Sequence, residues 1–119
     1  MLRLKLLALL LALAVFGLGA SAREAAFEVF TAVSCANSTT EALAANTGRM
    51  AALLINNSTQ TIWIKINEAA AANEGIRLNA NGGSYFISKD GMYGNLDSEA
   101  VNCIVASGTG TILATEWAN

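Results

Sequence analysis

The fold class predicted by this sequence is all-β: a single small antiparallel sandwich or barrel of about seven strands behind an N-terminal apolar segment. Three observations predict it. From Phe27 onward the apolar residues fall in short runs, several of which alternate at the two-residue period of a strand. Clusters of Asn, Gly and Ser separate those runs, and such residues accommodate tight turns. No long helical pattern is present, and the Ala-rich piece EAAAANEG at 68–75 is too short to stand as an isolated helix.

The chain opens differently. Arg3 and Lys5 precede an uncharged run of 13 residues from Leu6 to Leu18, and Ala20-Ser21-Ala22 follows. A basic start, an apolar middle and a small-x-small end are the three parts of a secretory signal peptide. The competing expectation is a retained membrane anchor, because the 17 uncharged residues from Leu6 to Ala22 reach the lower limit for crossing a bilayer. Gly17, Gly19 and the small residues after them favour cleavage. Residues 1–22 are thus expected to be the signal or anchor, and 23–119 the β domain.

FEVFTAVSC (27–35) places Phe27, Val29, Thr31, Val33 and Cys35 on one face, and Glu28, Phe30, Ala32 and Ser34 on the other. ANSTTEALAANTG (36–48) is small and polar and is expected to be a connection, with EALAAN able to hold one helical turn. RMAALLIN (49–56) is apolar on both faces, as in a central strand covered on both sides. TIWIKIN (61–67) alternates, with Ile62, Ile64 and Ile66 toward the core and Thr61, Trp63, Lys65 and Asn67 outward. The polar NNSTQT between these two runs is expected to close a hairpin. GIRL (75–78) and SYFIS (84–88) flank NANGG, whose Asn and Gly residues tolerate positive φ, and form a second expected hairpin. After the turn-rich KDGMYGNLDSE (89–99), AVNCIVAS and TILATEW form a third across Gly108-Thr109-Gly110.

Composition narrows the function classes. The 119 residues are 54% hydrophobic and 13% charged, with no His and no Pro. From Arg23 onward there are five basic and nine acidic residues, a formal charge of −4, with no basic cluster to hold phosphates. Nucleic acid is therefore not an expected partner. Both cysteines, Cys35 and Cys103, lie in the β domain, and export into an oxidising compartment predicts that they pair. Two buried thiols in a chain that is not exported are the alternative.

The order RMAALLINNSTQTIWI, then a small-residue stretch, NEGIRLNANGGSY, a Gly-Met-Tyr-Gly turn and a last strand ending in TEW resembles a family of small β-sandwich proteins encoded by tailed bacteriophages and prophages. The resemblance spans roughly residues 27–117. It implies a virion-associated structural or surface domain and carries over no catalytic residue. The signal-like N-terminus and the cysteine pair depart from that family, whose members usually lack an export signal.

The chemical inventory points away from catalysis. Without His, a Ser or Cys nucleophile lacks its usual base and a metal site lacks its commonest nitrogen ligand. Asp90, Asn95, Asp97 and Glu99 form an oxygen-rich loop, a weak calcium candidate that lacks the ligand spacing of a known calcium loop and otherwise reads as a solvated turn. Glu68 and Glu74 read as surface charges without sequence neighbours of opposite sign, and no cofactor is expected. Trp63, Lys65, Tyr85, Tyr93 and Trp117 are the candidate binding residues, as a stacking platform or a protein hot spot, against the alternative that the aromatics are core. Trp63, with Thr61 and Lys65 beside it, is expected to mark the contact face.

The expected function is that of a non-enzymatic exported domain acting by assembly or surface contact, in the periplasm, outside the cell or on a virion. Its partner is expected to be a protein or a second copy, with membrane contact only if the N-terminal segment is retained. A secreted carbohydrate-binding module and a small secreted hydrolase are the alternatives. N-terminal sequencing of the exported protein should begin at Arg23, since Ala20 and Ala22 fit the small-x-small cleavage pattern. A sequence that begins at Met1 would show the segment retained.

Overall fold

A computed structural model describes residues 27–89 and 98–119. The expected signal or anchor at 1–22 lies outside them. Eight strands follow in order: β1 (Phe27–Cys35), β2 (Thr40–Leu43), β3 (Arg49–Asn56), β4 (Ile62–Ile66), β5 (Ile76–Leu78), β6 (Ser84–Ser88), β7 (Val101–Val105) and β8 (Gly110–Ala118). They form two four-stranded antiparallel sheets, β1-β8-β3-β6 and β2-β7-β4-β5. The first is called sheet A here and the second sheet B. With these strand orders the two packed sheets make an eight-stranded jelly roll, a pair of Greek keys wound through one sandwich.

The extra strand is β2, in the segment expected to be a connection. Thr40 and Glu41 pair with Cys103 and Asn102, and Leu43 with Val101 after a bulge. Burial of Ala42 and Leu43 explains why this short piece extends instead of coiling. EAAAANEG likewise contains no helical turn: Asn67, Asn73 and Gly75 have φ of 62°, 63° and 80°, which bend the chain back on itself.

All three expected hairpins are corrected by the topology. The segment at 57–61 leads from sheet A to sheet B, the NANGG segment from B to A, and residues 106–109 from B to A. Among the eight strands, β4 and β5 are the one consecutive pair that shares a sheet, and the segment joining them was not expected to close a hairpin. The turn chemistry itself is as expected, with positive φ at Asn81, Gly82 and Gly108. An added Cβ at Gly83 would meet the Asn79 backbone nitrogen at 2.3 Å, so the arch from β5 to β6 closes only with glycine there.

The period-two faces hold. Ala52 and Leu54 of β3, Ile62 and Ile64 of β4, Leu78 of β5, Ile87 of β6, Val101 and Val105 of β7, and Ile112 and Ala114 of β8 form the buried layer between the sheets. Cys35 and Cys103 are bonded, their Cα atoms 5.7 Å apart, and join edge strand β1 of sheet A to β7 of sheet B. Closing a loop with a sequence separation of 68 residues removes unfolded-state entropy equivalent to about 4 kcal/mol in the chain-entropy model.

Strand β3 carries a polar plug at each end of its inward face. At one end Asn56 is fully buried. Its Nδ2 donates to the carbonyls of Gln60 and Leu78 at 2.7 and 3.0 Å, and its Oδ1 accepts from the Ser58 amide and hydroxyl at 3.1 and 2.7 Å. It thereby ties two inter-sheet arches together. At the other end the Arg49 side chain has no exposed surface, and its guanidinium meets Glu116 Oε2 at 3.0 Å through Nη2 and 3.1 Å through Nε. Nη1 and Nη2 also donate to the carbonyls of Glu99 and Ala44 at 2.7 and 2.6 Å, while Asn46 Nδ2 donates to Glu116 Oε1.

Removing one partner of a buried pair costs more than removing both. Arg49→Met should destabilise the domain by about 3–5 kcal/mol, because it leaves the Glu116 carboxylate facing the interior. Adding Glu116→Leu should recover part of that loss. Urea denaturation of the two variants checks it, and equal losses in both would show that the ion pair is not what closes this end.

Candidate functional site

The two outward faces differ in chemistry. On sheet B, cross-strand register aligns Glu41, Asn102 and Lys65 in one row, and Ile104, Trp63 and Arg77 in the next. The outward position of Trp63 and Lys65 agrees with the alternation of β4. Trp63 is half-buried, however, between Arg77 on β5 and Ile104 on β7. Lys65 is not a free cation, because the hairpin from β4 to β5 brings back both glutamates that follow it. Its Nζ lies 2.7 Å from Glu74 and 3.8 Å from Glu68. The expectation that these glutamates lack a partner is therefore corrected.

Sheet A presents the opposite character. Its outward rows are Glu28, Trp117, Ala51 and Ser88; then Phe30, Thr115, Leu53 and Phe86; then Ala32, Leu113, Ile55 and Ser84. Among the described residues one charge stands on this face, and it is engaged: Glu28 Oε1 accepts from the indole Nε1 of Trp117 at 3.0 Å. Phe30 is 71% exposed, Phe86 57% and Leu113 40%. Among the described residues all the exposed large apolar side chains lie on sheet A strands: Phe27, Val29 and Phe30 on β1, Met50 on β3, Phe86 on β6 and Leu113 on β8.

The candidate aromatics are thus not one platform. Trp63 and Trp117 stand on opposite outward faces of the sandwich. Tyr85 is paired with buried Leu54 and packs against the core from the inward side of β6. Tyr93 lies outside the described residues, as do Asp90, Asn95 and Asp97 of the calcium candidate. Glu99 is described, and its backbone carbonyl is taken by Arg49.

Sequence reasoning missed Phe30, Leu53, Ile55, Phe86 and Leu113 as a group. The signal was present in RMAALLIN, apolar on both faces. That strand is central in sheet A, but its outward side chains Ala51, Leu53 and Ile55 stay partly exposed instead of being covered by a further layer. In a two-layer domain a strand apolar on both sides must show one side outward.

In comparisons with known proteins the chain matches no family, no curated protein and no solved structure.

The ion pair on sheet B has a defined pH signature. Hydrogen bonding to Lys65 holds the Glu74 carboxyl below 4.5, and hydrogen bonding to Glu74 raises Lys65 above 10.5, with Glu68 adding to it. Glu74 therefore supports the fold above its ordinary titration range and loses that support as pH falls through its lowered folded value. Lys65 supports it below its ordinary range and loses that support as pH rises through its raised folded value. Carboxyl NMR titration should place Glu74 below 4.5, and Lys65→Gln should return it toward 4.5. An unchanged Glu74 midpoint in that variant would show that the pair does not persist in solution.

Proposed function

We propose that this chain is an exported, non-catalytic assembly domain that works by contact through the outward face of sheet A. The observation that supports it is the concentration of exposed large apolar residues on that sheet, with Phe30, Phe86 and Leu113 in adjoining rows. Monomeric soluble proteins rarely expose a contiguous apolar patch of this kind without using it. The nearly uncharged rows, bordered by Ser84, Ser88 and Glu28, have the apolar centre and polar rim of a contact surface.

Other features agree with the role. The disulfide is compatible with an oxidising, exported environment. The jelly-roll strand order is one used by viral capsid and lectin domains, which supports a structural role by analogy of fold. It is also in keeping with the resemblance to phage β-sandwich proteins. The contact surface moves from the Trp63 face, where the sequence places it, to the opposite sheet.

A Phe86→Lys, Leu113→Lys double variant tests the proposal. Both side chains are exposed, so the unfolding midpoint should stay close to that of the parent. Sedimentation velocity over a concentration series should show association of the oxidised parent and a loss of at least tenfold in the variant. Equal association in both would reject the sheet A face.

A further inference from the structure

A β-sheet has edges as well as faces, and an open edge specifies its occupant by its own chemistry. Its unpaired N–H and C=O groups are completed by another extended strand. Natural edges are usually guarded by shortness, bulges or charge, and three of the four edges here are guarded in these ways. Strand β2 has four residues and a bulge between Glu41 and Leu43. Strand β5 has three residues with Arg77 in the middle. Strand β6 has five, and exposed Lys89 follows directly.

Among the described residues, strand β1 has none of these guards. It is nine residues long, and its register with β8 runs unbroken from Phe27 paired with Ala118 to Cys35 paired with Gly110. Its single charge, Glu28, is held by Trp117 on β8, on the side away from the open edge. Both faces of the strand are apolar and exposed: Phe30 stands outward, while Phe27 (69%) and Val29 (54%) stand on the inward side uncovered by sheet B.

We propose that β1 pairs antiparallel with β1 of a second copy about a two-fold axis through Thr31, joining two sheets A into one continuous eight-stranded sheet. The inference rests on the assembly role proposed above and names the partner. A two-fold axis perpendicular to a sheet pairs residues that point to the same side, and the sequence suits this. Val29 meets Val33 of the second copy, Phe30 meets Ala32, Glu28 meets Ser34, and Thr31 meets Thr31. The large Phe30 and Glu28 thus face small residues across the junction, the β-branched pairs match in size, and no charge faces its like. The two Glu28 carboxylates end up about 20 Å apart at the strand rise, more than twice the physiological screening length of about 8 Å. An axis shifted to Glu28 would place them directly opposite, which is destabilising.

Net charge restricts where a second copy can dock. The chain is net acidic, so two copies repel each other except where the contact is made through uncharged surface. The open edge of β1 is such a surface, and it is continuous with the apolar rows of sheet A. The guarded β6 edge at the other side stops the paired sheet from growing further.

Two variants of the oxidised protein test this directly. Thr31→Cys places two thiols across the axis, so mild oxidation should give a covalent dimer on non-reducing gels, whereas Ser84→Cys on edge strand β6 should not. The native bridge is fully buried and does not take part. Val29→Lys adds a charge at an exposed position and should weaken dimerisation in sedimentation velocity at least tenfold. Association that survives Val29→Lys, shows no Thr31→Cys cross-link and is lost in Phe86→Lys, Leu113→Lys would overturn the edge pairing and leave the face contact standing. Association lost in Val29→Lys alone, with the cross-link present, would support the edge and reject the face. A parent that stays monomeric up to millimolar concentration, with no cross-link, would overturn both.

Discussion

Among the described residues the guanidinium of Arg49 is the charge taken fully out of water, and the geometry of one whole end of the sandwich follows from satisfying it. A buried cation costs several kcal/mol unless it is paired and hydrogen-bonded. Its donors therefore dictate where the Ala44 and Glu99 carbonyls and the Glu116 carboxylate must stand. Asn46 completes the arrangement: its side chain donates to Glu116 and accepts from the Gly48 amide, and its own amide donates to the Ser98 carbonyl. The β2–β3 loop, the approach to β7 and the end of β8 are thus set against one another by one side chain. Asn56 does the same for the arches at the opposite end with neutral groups. Between these plugs, Ala52 and Leu54 of the same strand lie in the apolar layer.

With the ends closed and the interior filled, the remaining apolar residues have to face outward. Eight short strands in two layers bury one face of each sheet. On sheet B the outward rows are Glu41, Asn102 and Lys65 beside Ile104, Trp63 and Arg77, where Lys65 is paired with Glu74 and Glu68 and the apolar Ile104 and Trp63 are largely covered. On sheet A the corresponding rows hold Phe30, Leu53, Ile55, Phe86 and Leu113. The excess of apolar residues in the composition is therefore not all core. Part of it lies on one outward face and along one unguarded edge, which is why contact, and not chemistry, is the proposed role.

Much of the strand pattern was legible in the sequence. The alternation of Ile62, Trp63, Ile64 and Lys65 sorts inward from outward because neighbouring strand residues point to opposite sides whatever the strand pairs with. The partner of Cys35 was legible because one other cysteine exists. Strand β2 was not legible, since Thr40–Leu43 extends only because β7 offers it a ladder and the core takes Ala42 and Leu43. The grouping of the site was also hidden. Phe30 and Phe86 lie far apart in the chain and share a row only through Thr115 and Leu53, on strands that fall between them in space.

The sequence by itself determined the all-β class, the parity of each strand, the turn positions that require Asn or Gly, and the one partner each cysteine could take, because each depends on local backbone sterics or on residue counts; that the two cysteines are bonded came from the structure. Only the tertiary structure decided which strand neighbours which. A five-residue segment such as 57–61 can reach a neighbouring strand about 5 Å away or the opposite sheet about 10 Å away, and its turn residues serve either path. The choice rests on long-range ladders, β3 with β8 and β6, β4 with β7 and β5, which satisfy backbone groups and bury Leu54 and Ile64 together. That choice turned three expected hairpins into inter-sheet arches, placed Trp63 and Trp117 on opposite sides, and left β1 at an open edge with its apolar side chains uncovered.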